Sequence, residues 1–417
     1  TDSVRICVPH QSKKEEYMNF KAFAAEHGTP LYVYDFEHFR ARYEELKEAF
    51  VARKSLICYA VKANSNLSVI KLFADLGAGA DCVSIGEVRR ALLAGVPKYK
   101  IIFSGVGKRD DEIAEALEAD ILFINLESEA EMKRVELIAK ELGKKARISI
   151  RVNPDIDPKT HPYISTGLNE NKFGVDIESA KGMYAYAAKS DNLEPVGIHF
   201  HIGSQLTELE PIYEAAKKVS ELLRALLTLK INIKFFDVGG GLGVKYYDET
   251  TITPYDYAQA ILSTLSGTDV TVVCEPGRFM TANGGYFLTK VLYEKQNKEK
   301  RFVIVDGAMN DLIRPTLYEA FHGVEVVGKN GNESKADIVG PICESGDFFA
   351  KDEDIPPTEH GDLLVIKSAG SYGFSMSSNY NTRGRAAEIA VDEDGVRVIR
   401  KRESFEDVIA LEKDFLK

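Results

Sequence analysis

The stretch "LICYAVKANSN" (residues 56–66) ends an apolar, strand-like run on a lysine, Lys62. A lysine at a strand end is most often a solvated charge, because lysine side chains are mostly exposed. A lysine held in an apolar or charge-crowded site instead has a lowered pKa, and its neutral amine can form a Schiff base. Which of the two applies to Lys62 depends on the residues that surround it.

The stretch "GIHFHIGSQ" places His199 and His201 two residues apart, so that both point to the same face of a strand. Such a pair can bind a metal, provide a stacking surface for a planar ligand, or simply fill a core. A metal site requires further ligands close by, and the sequence has neither an HExxH motif nor a third clustered histidine. We therefore predict no metal.

The stretch "FDVGGGLGVKY" contains three consecutive glycines, Gly239, Gly240 and Gly241. Glycine lets the backbone approach a phosphate and direct several N–H groups at it. A tight turn without a ligand is the alternative. A dinucleotide site is disfavoured, because the full G-x-G-x-x-G pattern is absent and no clear helix with an acidic residue ~20 positions on follows.

The stretch "VVCEPGRF" brings Glu275, Gly277 and Arg278 to the end of another strand, where a surface ion pair is the simplest interpretation. Together, however, the four motifs match the needs of pyridoxal phosphate. That cofactor takes a lysine for covalent attachment, N–H groups for its phosphate, a partner for its flat ring and a carboxylate that keeps its ring nitrogen protonated. A ring nitrogen that stays protonated makes the ring a strong electron sink, which favours decarboxylation. A racemase tolerates a weaker electron sink.

These motifs need a fold that brings several strand ends together. Between residues 56 and 276, eight short apolar stretches each end in polar or glycine residues, and amphipathic helical segments lie between several of them. Such alternation is typical of parallel strands joined by right-handed crossovers. An open doubly wound sheet is the rival, but the regular count favours a closed (β/α)8 TIM-type barrel, whose active site lies at the C-terminal strand ends. Asp81, Ser104, Asn125 and Asn153 also stand at these ends, without an assigned role.

After about residue 280 the sequence changes to strand-like stretches without long helices, and "VDEDGVRV" has the Asp-Gly of a hairpin. We predict a barrel over 30–275 and a mainly antiparallel β domain from 1–29 and 276–417. The polar, proline-containing stretch 154–174 predicts a long loop and a candidate active-site lid.

Composition excludes several classes of function. The net charge of −11 argues against a nucleic-acid or anionic-membrane surface. No run approaches the ~18 apolar residues of a membrane helix, and the first residues lack a signal-peptide core, so we expect a cytoplasmic protein. The cysteines form no CxxC pair, which argues against a disulfide framework or a zinc site. They are Cys7, Cys58, Cys82, Cys274 and Cys343.

Five stretches resemble motifs of the fold-type III pyridoxal-phosphate decarboxylases, over about residues 30 to 405. In order along the chain they are "YAVKAN", "HFHIGS", "GGG", "EPGR" and "CESGD". "THPYISTGLNENKFG", "IRPTLYEAFH" and "GPICESGDFFA" resemble the members that decarboxylate meso-2,6-diaminopimelate to L-lysine and CO2, the last step of lysine biosynthesis. The resemblance also implies an alanine-racemase-like architecture and a homodimer with shared active sites. The alternatives are decarboxylation of carboxynorspermidine, arginine or ornithine, an amino-acid racemase, and a non-enzymatic cofactor carrier, which usually lacks a second domain.

The resemblance implies roles for residues at matching positions. Cofactor contacts are implied for Lys62 (the Schiff base), His201, Ser204, Gly239, Gly240, Gly241, Glu275, Gly277, Arg278 and Tyr372. Substrate contacts are implied for Arg278, Arg314, Tyr318, Glu344 and Tyr372. Cys343 would be the proton donor, and it and Glu344 would come from the second subunit. One departure is that Ser368 and Ser371 replace the Asp and the second Ala of the family's usual Asp-Ala-Gly-Ala-Tyr-Gly.

The expected substrate carries an amino acid group at each end. Arg278 and Arg314 offer bidentate partners for the distal carboxylate, and Glu344 can hold the distal ammonium. Ornithine would need only an acidic partner for its distal amine. The arginine pair is therefore the feature that discriminates between these substrates.

Overall fold

The computed structural model describes residues 18–157 and 172–416, which form two compact units. The barrel unit comprises residues 35–285 and 368–376, and the β unit comprises the other described residues. The predicted domain boundaries at residues 30 and 276 stay predictions. Cys7 and positions 158–171 of the predicted loop lie outside the described residues.

Eight parallel strands close into a barrel, so the predicted TIM-type fold is confirmed and the open sheet is excluded. The barrel closes where the first of these strands pairs with the last, with Ile57 opposite Cys274. In chain order the strands are β2 (Ser55–Ala60), β3 (Gly79–Cys82), β4 (Ile101–Phe103), β5 (Phe123–Leu126), β6 (Ala146–Arg151), β7 (Leu193–His199), β8 (Phe235–Asp237) and β9 (Thr271–Cys274), after β1 (Leu31–Asp35), which belongs to the other sheet.

Helices lie between the barrel strands, and several begin at a residue whose side chain accepts an N–H of the first helical turn. Asn66, Ser84, Ser128, Asp176 and Thr253 are such caps, each of which stabilises a helix start by about 1 kcal/mol. The helices of this unit are Phe36–Ala49, Leu67–Asp75, Ile85–Leu93, Asp110–Glu118, Glu129–Glu141, Ile177–Ala187, Leu209–Thr228, Pro254–Ser263 and Arg278–Thr281, with short 3-10 turns at Val61–Ala63, Lys98–Lys100 and Phe374–Met376.

The interior of the barrel toward the strand starts is apolar. Phe123 of β5 and Phe235 of β8 meet with their ring centroids 5.5 Å apart. The same cluster contains Leu56, Cys58, Ile102, Leu122, Val196 and Val273. Side chains at alternate positions of each strand point into the barrel. The polar side chains lie nearer the C-terminal ends of the strands, where they build the site.

The β unit is a nine-stranded, mainly antiparallel sheet, as predicted, in which β11 and β13 pair in parallel. A second core of apolar residues, including Leu288, Val365 and Ile389, packs against it. Its remaining strands are β10 (Gly285–Asn297), β11 (Lys300–Val305), β12 (Val324–Val326), β13 (Ser334–Val339), β14 (Phe348–Ile355), β15 (Leu363–Ile366), β16 (Ala387–Asp392) and β17 (Gly395–Arg400), and its helices are Phe20–His27, Arg314–Tyr318 and Phe405–Ile409, with 3-10 turns at Tyr380–Thr382 and Lys413–Phe415.

The predicted hairpin through Asp394-Gly395 is present as β16 and β17. Strands β12 and β14 were not predicted, because their sequences are short or strongly charged. Across the described residues, no helix combines the length and the apolar character needed to cross a bilayer.

Candidate active site

Lys62 lies just beyond β2, in the 3-10 turn Val61–Ala63, where it faces the end of the neighbouring strand. Its Nζ is 3.5 Å from Oδ2 of Asp81, whose side chain is only 1% exposed. Ser104 hydrogen-bonds Asp81 and accepts a bond of 3.0 Å from Asn125. The lysine is thus joined to a polar chain that runs across the ends of three adjacent strands.

Burial and the neighbouring charges act on Lys62 in opposite directions. Burial acts to lower its pKa, but the negative charges of Asp81 and Glu275 outweigh that effect and place the pKa above the ordinary lysine value. The lowered pKa of a lysine in an apolar or cationic site therefore does not apply to Lys62, because the groups that crowd it are acidic rather than basic.

Glu275 follows β9 and lies in a buried cluster with two further titratable groups. Its Oε2 is 3.3 Å from Nε2 of His199, the last residue of β7, and its carboxyl is within hydrogen-bonding reach of Asp237, the last residue of β8. Burial works to raise the pKa of Glu275, yet His199, Lys62 and Asp237 hold it below its usual range. Burial and the neighbouring Glu275 raise the pKa of Asp237 instead.

The three groups of this cluster each offer a ligand atom within 4.8 Å of the others. A metal ion held there would have three protein ligands, and the predicted absence of a metal stays a prediction. Sequence analysis overlooked Asp237, although it directly precedes the glycine run and ends a barrel strand. The polar residue at a strand end was the signal that could have found it.

His201 and the glycine run are in direct contact. The N–H of Gly240 points to Nδ1 of His201 at 3.3 Å, which fixes that nitrogen as an acceptor. Burial holds the pKa of His201 well below its usual value, with Arg151 and Lys62 acting in the same direction, so the imidazole is neutral. A Cβ at Gly240 would lie 2.3 Å from the carbonyl oxygen of Glu275, so this close approach of the backbone requires glycine.

Arg278 begins the short helix after β9, and its buried guanidinium connects two predicted site residues. Its Nε and Nη2 donate to Oγ of Ser204 at 3.3 and 3.1 Å, and its Cζ lies 5.1 Å from the ring centroid of Tyr372. Nη1 donates to the hydroxyl of Tyr246 at 2.6 Å, a contact that the sequence did not reveal. Gly277, the residue before Arg278, has no room for a side chain, because a Cβ would lie 2.9 Å from that of Ala63.

Tyr372 has a φ of +56°, a conformation that a tyrosine rarely adopts, and its N–H donates to the carbonyl of Ala63 at 2.8 Å. The two serines that depart from the family pattern stabilise this segment. Ser371 shares a hydrogen bond of 2.6 Å with Thr281, and Ser368 accepts one of 2.8 Å from Asn283. Backbone strain held in place by surrounding bonds is common at functional sites.

The remaining predicted residues belong to the β unit. Arg314 is buried at the start of its short helix, and Tyr318 is half-buried at the end of that helix. Cys343 and Glu344 are exposed on a loop, where the N–H of Cys343 donates to Asn381 and Glu344 accepts from Tyr380.

Asp347 gives the exposed loop its shape, a role that sequence analysis missed. Its carboxylate accepts the N–H of Ile342 and of Met309, both at 2.7 Å.

Asn153 lies in the barrel unit, where its side chain accepts the N–H of Asp155. The described cysteines Cys58, Cys82, Cys274 and Cys343 are free thiols.

Comparison with known proteins agrees with this geometry. A family model described as pyridoxal-dependent decarboxylase, pyridoxal binding domain, matches residues 36–282. A diaminopimelate decarboxylase of Campylobacter jejuni is 62% identical over 401 residues, covering 96% of this chain and all of that protein.

Solved structures are similar over nearly the whole chain. The crystal structure of diaminopimelate decarboxylase from Helicobacter pylori complexed with L-lysine has a TM-score of 0.93 and 55% identity, and the match covers 95% of this chain and 100% of that one. A lysine/ornithine decarboxylase of Vibrio vulnificus complexed with putrescine has a TM-score of 0.80 at 23% identity over 91% of this chain and 99% of that one, a likeness of fold alone.

Proposed function

The chain belongs to the pyridoxal-dependent decarboxylases, and from that premise we propose that it converts meso-2,6-diaminopimelate to L-lysine and CO2. The observation that carries the proposal is the meeting of Lys62, His201, the glycine run and Glu275 at one end of a single barrel. The names of relatives that are 62% and 55% identical, one of them crystallised with L-lysine, specify the substrate.

The residues at the barrel mouth fit pyridoxal phosphate, the cofactor that membership in this family implies. Oε1 of Glu275 is buried without a hydrogen-bond partner, so an acceptor is available for a ring N–H. The neutral ring of His201 is suited to stacking, and the backbone at Gly239–Gly241 can approach a phosphate closely. We propose that Ser204, Gly277 and Arg278 complete the phosphate site.

Each residue then has a task that its surroundings support. Pyridoxal phosphate, when bound, supplies the electron sink for the charge that CO2 leaves behind. Lys62 provides the amine for covalent attachment, and Asp81 stands ready to accept or return a proton at Nζ, 3.5 Å away. Glu275 stays ionised and so favours the protonated ring nitrogen, which suits decarboxylation better than racemisation.

The β unit supplies the groups for substrate specificity and protonation in this proposal. Arg314, together with Arg278, binds the distal carboxylate, and Tyr318 and Tyr372 line the substrate. Glu344 binds the distal ammonium, and Cys343 delivers the proton that replaces CO2. The exposure of Cys343 and Glu344 in one chain is consistent with a homodimer in which they complete the partner's site.

The experiment is a substrate panel on the purified protein reconstituted with pyridoxal phosphate. We expect CO2 and L-lysine from meso-diaminopimelate, and turnover at least about 100-fold lower on ornithine, arginine and carboxynorspermidine, because these leave the arginine pair without a carboxylate. Comparable turnover on one of the other substrates would assign that activity instead. A colourless protein that cannot be reconstituted would contradict the entire proposal.

A further inference from the structure

Three titratable side chains lie beneath the barrel mouth with almost no access to water. His199 is 2% exposed, Asp237 is 0% exposed and Glu275 is 7% exposed. Only Glu275 has a task in the proposed function. Two carboxyl groups this close together in a buried site cannot both be ionised without a large free-energy penalty, so the cluster must hold a proton.

Hydrogen-bond partners indicate which carboxyl carries that proton. Asp237 has one oxygen bound to the N–H of Gly239 at 2.9 Å, and its Oδ2 is buried without a donor. Glu275 faces His199 at 3.3 Å, and the positive charge of Lys62 also favours its ionised form. The proton therefore belongs on Asp237, which can donate it to Glu275.

We propose that Asp237 and His199 are positioning residues for Glu275: protonated Asp237 donates a hydrogen bond to it and Nε2 of His199 lies 3.3 Å from its Oε2, so that Glu275 is held as a single carboxylate available to the ring nitrogen of the cofactor. This inference deepens the proposed function and rests on it. A carboxylate has about four lone-pair sites, so these two neighbours leave room for a ring N–H. The two carboxyls then carry a net charge of −1 rather than −2, which balances the single positive charge of a protonated pyridine ring.

Other titratable groups surround the cluster and set the conditions for a pH test. The groups that act on it from neighbouring elements are Lys62, Asp81, His201, Cys58, Cys82, Cys274 and Tyr257. Burial raises the pKa of the three thiols and of Tyr257, so these remain neutral over the physiological range. A pH response of the 15N signal therefore does not arise from these thiols or from Tyr257.

The test uses pyridoxal phosphate labelled with 15N in its ring, bound to the holoenzyme, because the 15N NMR shift reports whether the ring nitrogen is protonated. Wild type should show a protonated nitrogen from pH 6 to 9. Asp237→Asn should keep that signal and the cofactor Kd within about threefold, since Asn is a neutral donor like protonated Asp. Asp237→Ala and His199→Ala should raise the Kd by about tenfold to 100-fold and make the 15N signal depend on pH, whereas His199→Gln should restore both.

Glu112→Gln is the matched control, since Glu112 is a buried carboxyl whose partner is Arg109 and which lies outside the cluster. It should leave both the 15N signal and the Kd unchanged. If the Ala variants do not fold, the Asn and Gln variants still test the proposal. Were Asp237 ionised in wild type, Asp237→Asn would remove its charge and shift the 15N signal. Such a shift, or Ala variants that match wild type, would overturn the positioning role alone. A wild type that does not bind the cofactor would overturn this inference and the proposed function together.

Discussion

The barrel unit and the β unit hold their predicted site residues in different ways. In the barrel, Lys62, His201 and Glu275 come from different strand ends and are tied to neighbours by contacts of 3.3 to 3.5 Å. In the β unit, Cys343 and Glu344 stand exposed on a loop whose shape depends on Asp347. A charged site that is buried and interlocked tolerates few changes, whereas an exposed loop can be altered without disturbing what it faces.

Because the two sets of residues lie in different units, cofactor binding and substrate turnover should be separable. Loss of the cofactor-binding side chains of the barrel unit should remove both, and loss of the predicted site residues of the β unit should lower turnover while the bound cofactor remains. Two readouts, the absorbance of the bound cofactor and CO2 release, distinguish these outcomes in one sample. The predictions below are ordered by the size of the expected effect on activity.

Replacement of Lys62 by Ala should remove both properties. Without the amine no covalent link to the cofactor forms, so turnover should fall by about 10⁴-fold or more and the Schiff-base absorbance should disappear. Lys71→Ala, which removes an exposed lysine paired with Asp75, is the control and should behave as wild type. Substantial turnover in Lys62→Ala would show that the reaction does not need Lys62, and the proposed difference between the two units would be wrong.

Replacement of Cys343 by Ala should separate the two readouts. Loss of a proton donor should lower turnover by about 10²- to 10⁴-fold, and the cofactor absorbance should survive, because no barrel residue is touched. Ser345→Ala alters the same exposed loop and serves as the control. Unchanged turnover in Cys343→Ala would remove this thiol from the reaction.

Replacement of Arg314 by Lys sharpens the comparison at the level of the substrate. Lysine keeps the charge but loses the bidentate geometry, so kcat/KM for meso-diaminopimelate should fall by about tenfold to 100-fold with no loss of bound cofactor. Arg397→Lys, at an exposed arginine paired with Asp392, should have no such effect. A parallel loss of cofactor would show that Arg314 supports the barrel site instead.

Glu87 tests the barrel unit through stability rather than activity. Burial raises its pKa to about 7, although it accepts the N–H of Val83. Since the folded state holds this proton and the unfolded state releases it, the contribution of Glu87 to stability is lost as the pH rises from about 4.5 to 7.

Relative to wild type, Glu87→Gln should therefore gain stability over that range, by up to about 3 kcal/mol at pH 8. The measurement is the difference in Tm between the two proteins at pH 5 and at pH 8. A difference that does not change with pH would mean that Glu87 is ionised throughout.

Sequence alone predicted the barrel because strand stretches and amphipathic helices alternate regularly, and it identified site residues that local motifs announce. It did not find Asp237, Tyr246 or Asp347, whose importance depends on contacts with residues distant in the chain. It also could not give the direction in which the pKa of Lys62 is shifted, because the acidic groups near that lysine, Asp81 and Glu275, belong to β3 and to the segment after β9, the two strands that pair with β2 on either side. Long-range electrostatics of this kind cannot be read from spacing.

The most direct test of the account is to locate the cofactor on the chain. Borohydride reduction of the holoenzyme makes the covalent link permanent, and peptide mass spectrometry then identifies the modified lysine. The account predicts a pyridoxyl group on Lys62 and on no other lysine. A label on a different lysine, or no label on a protein that decarboxylates meso-diaminopimelate, would contradict it.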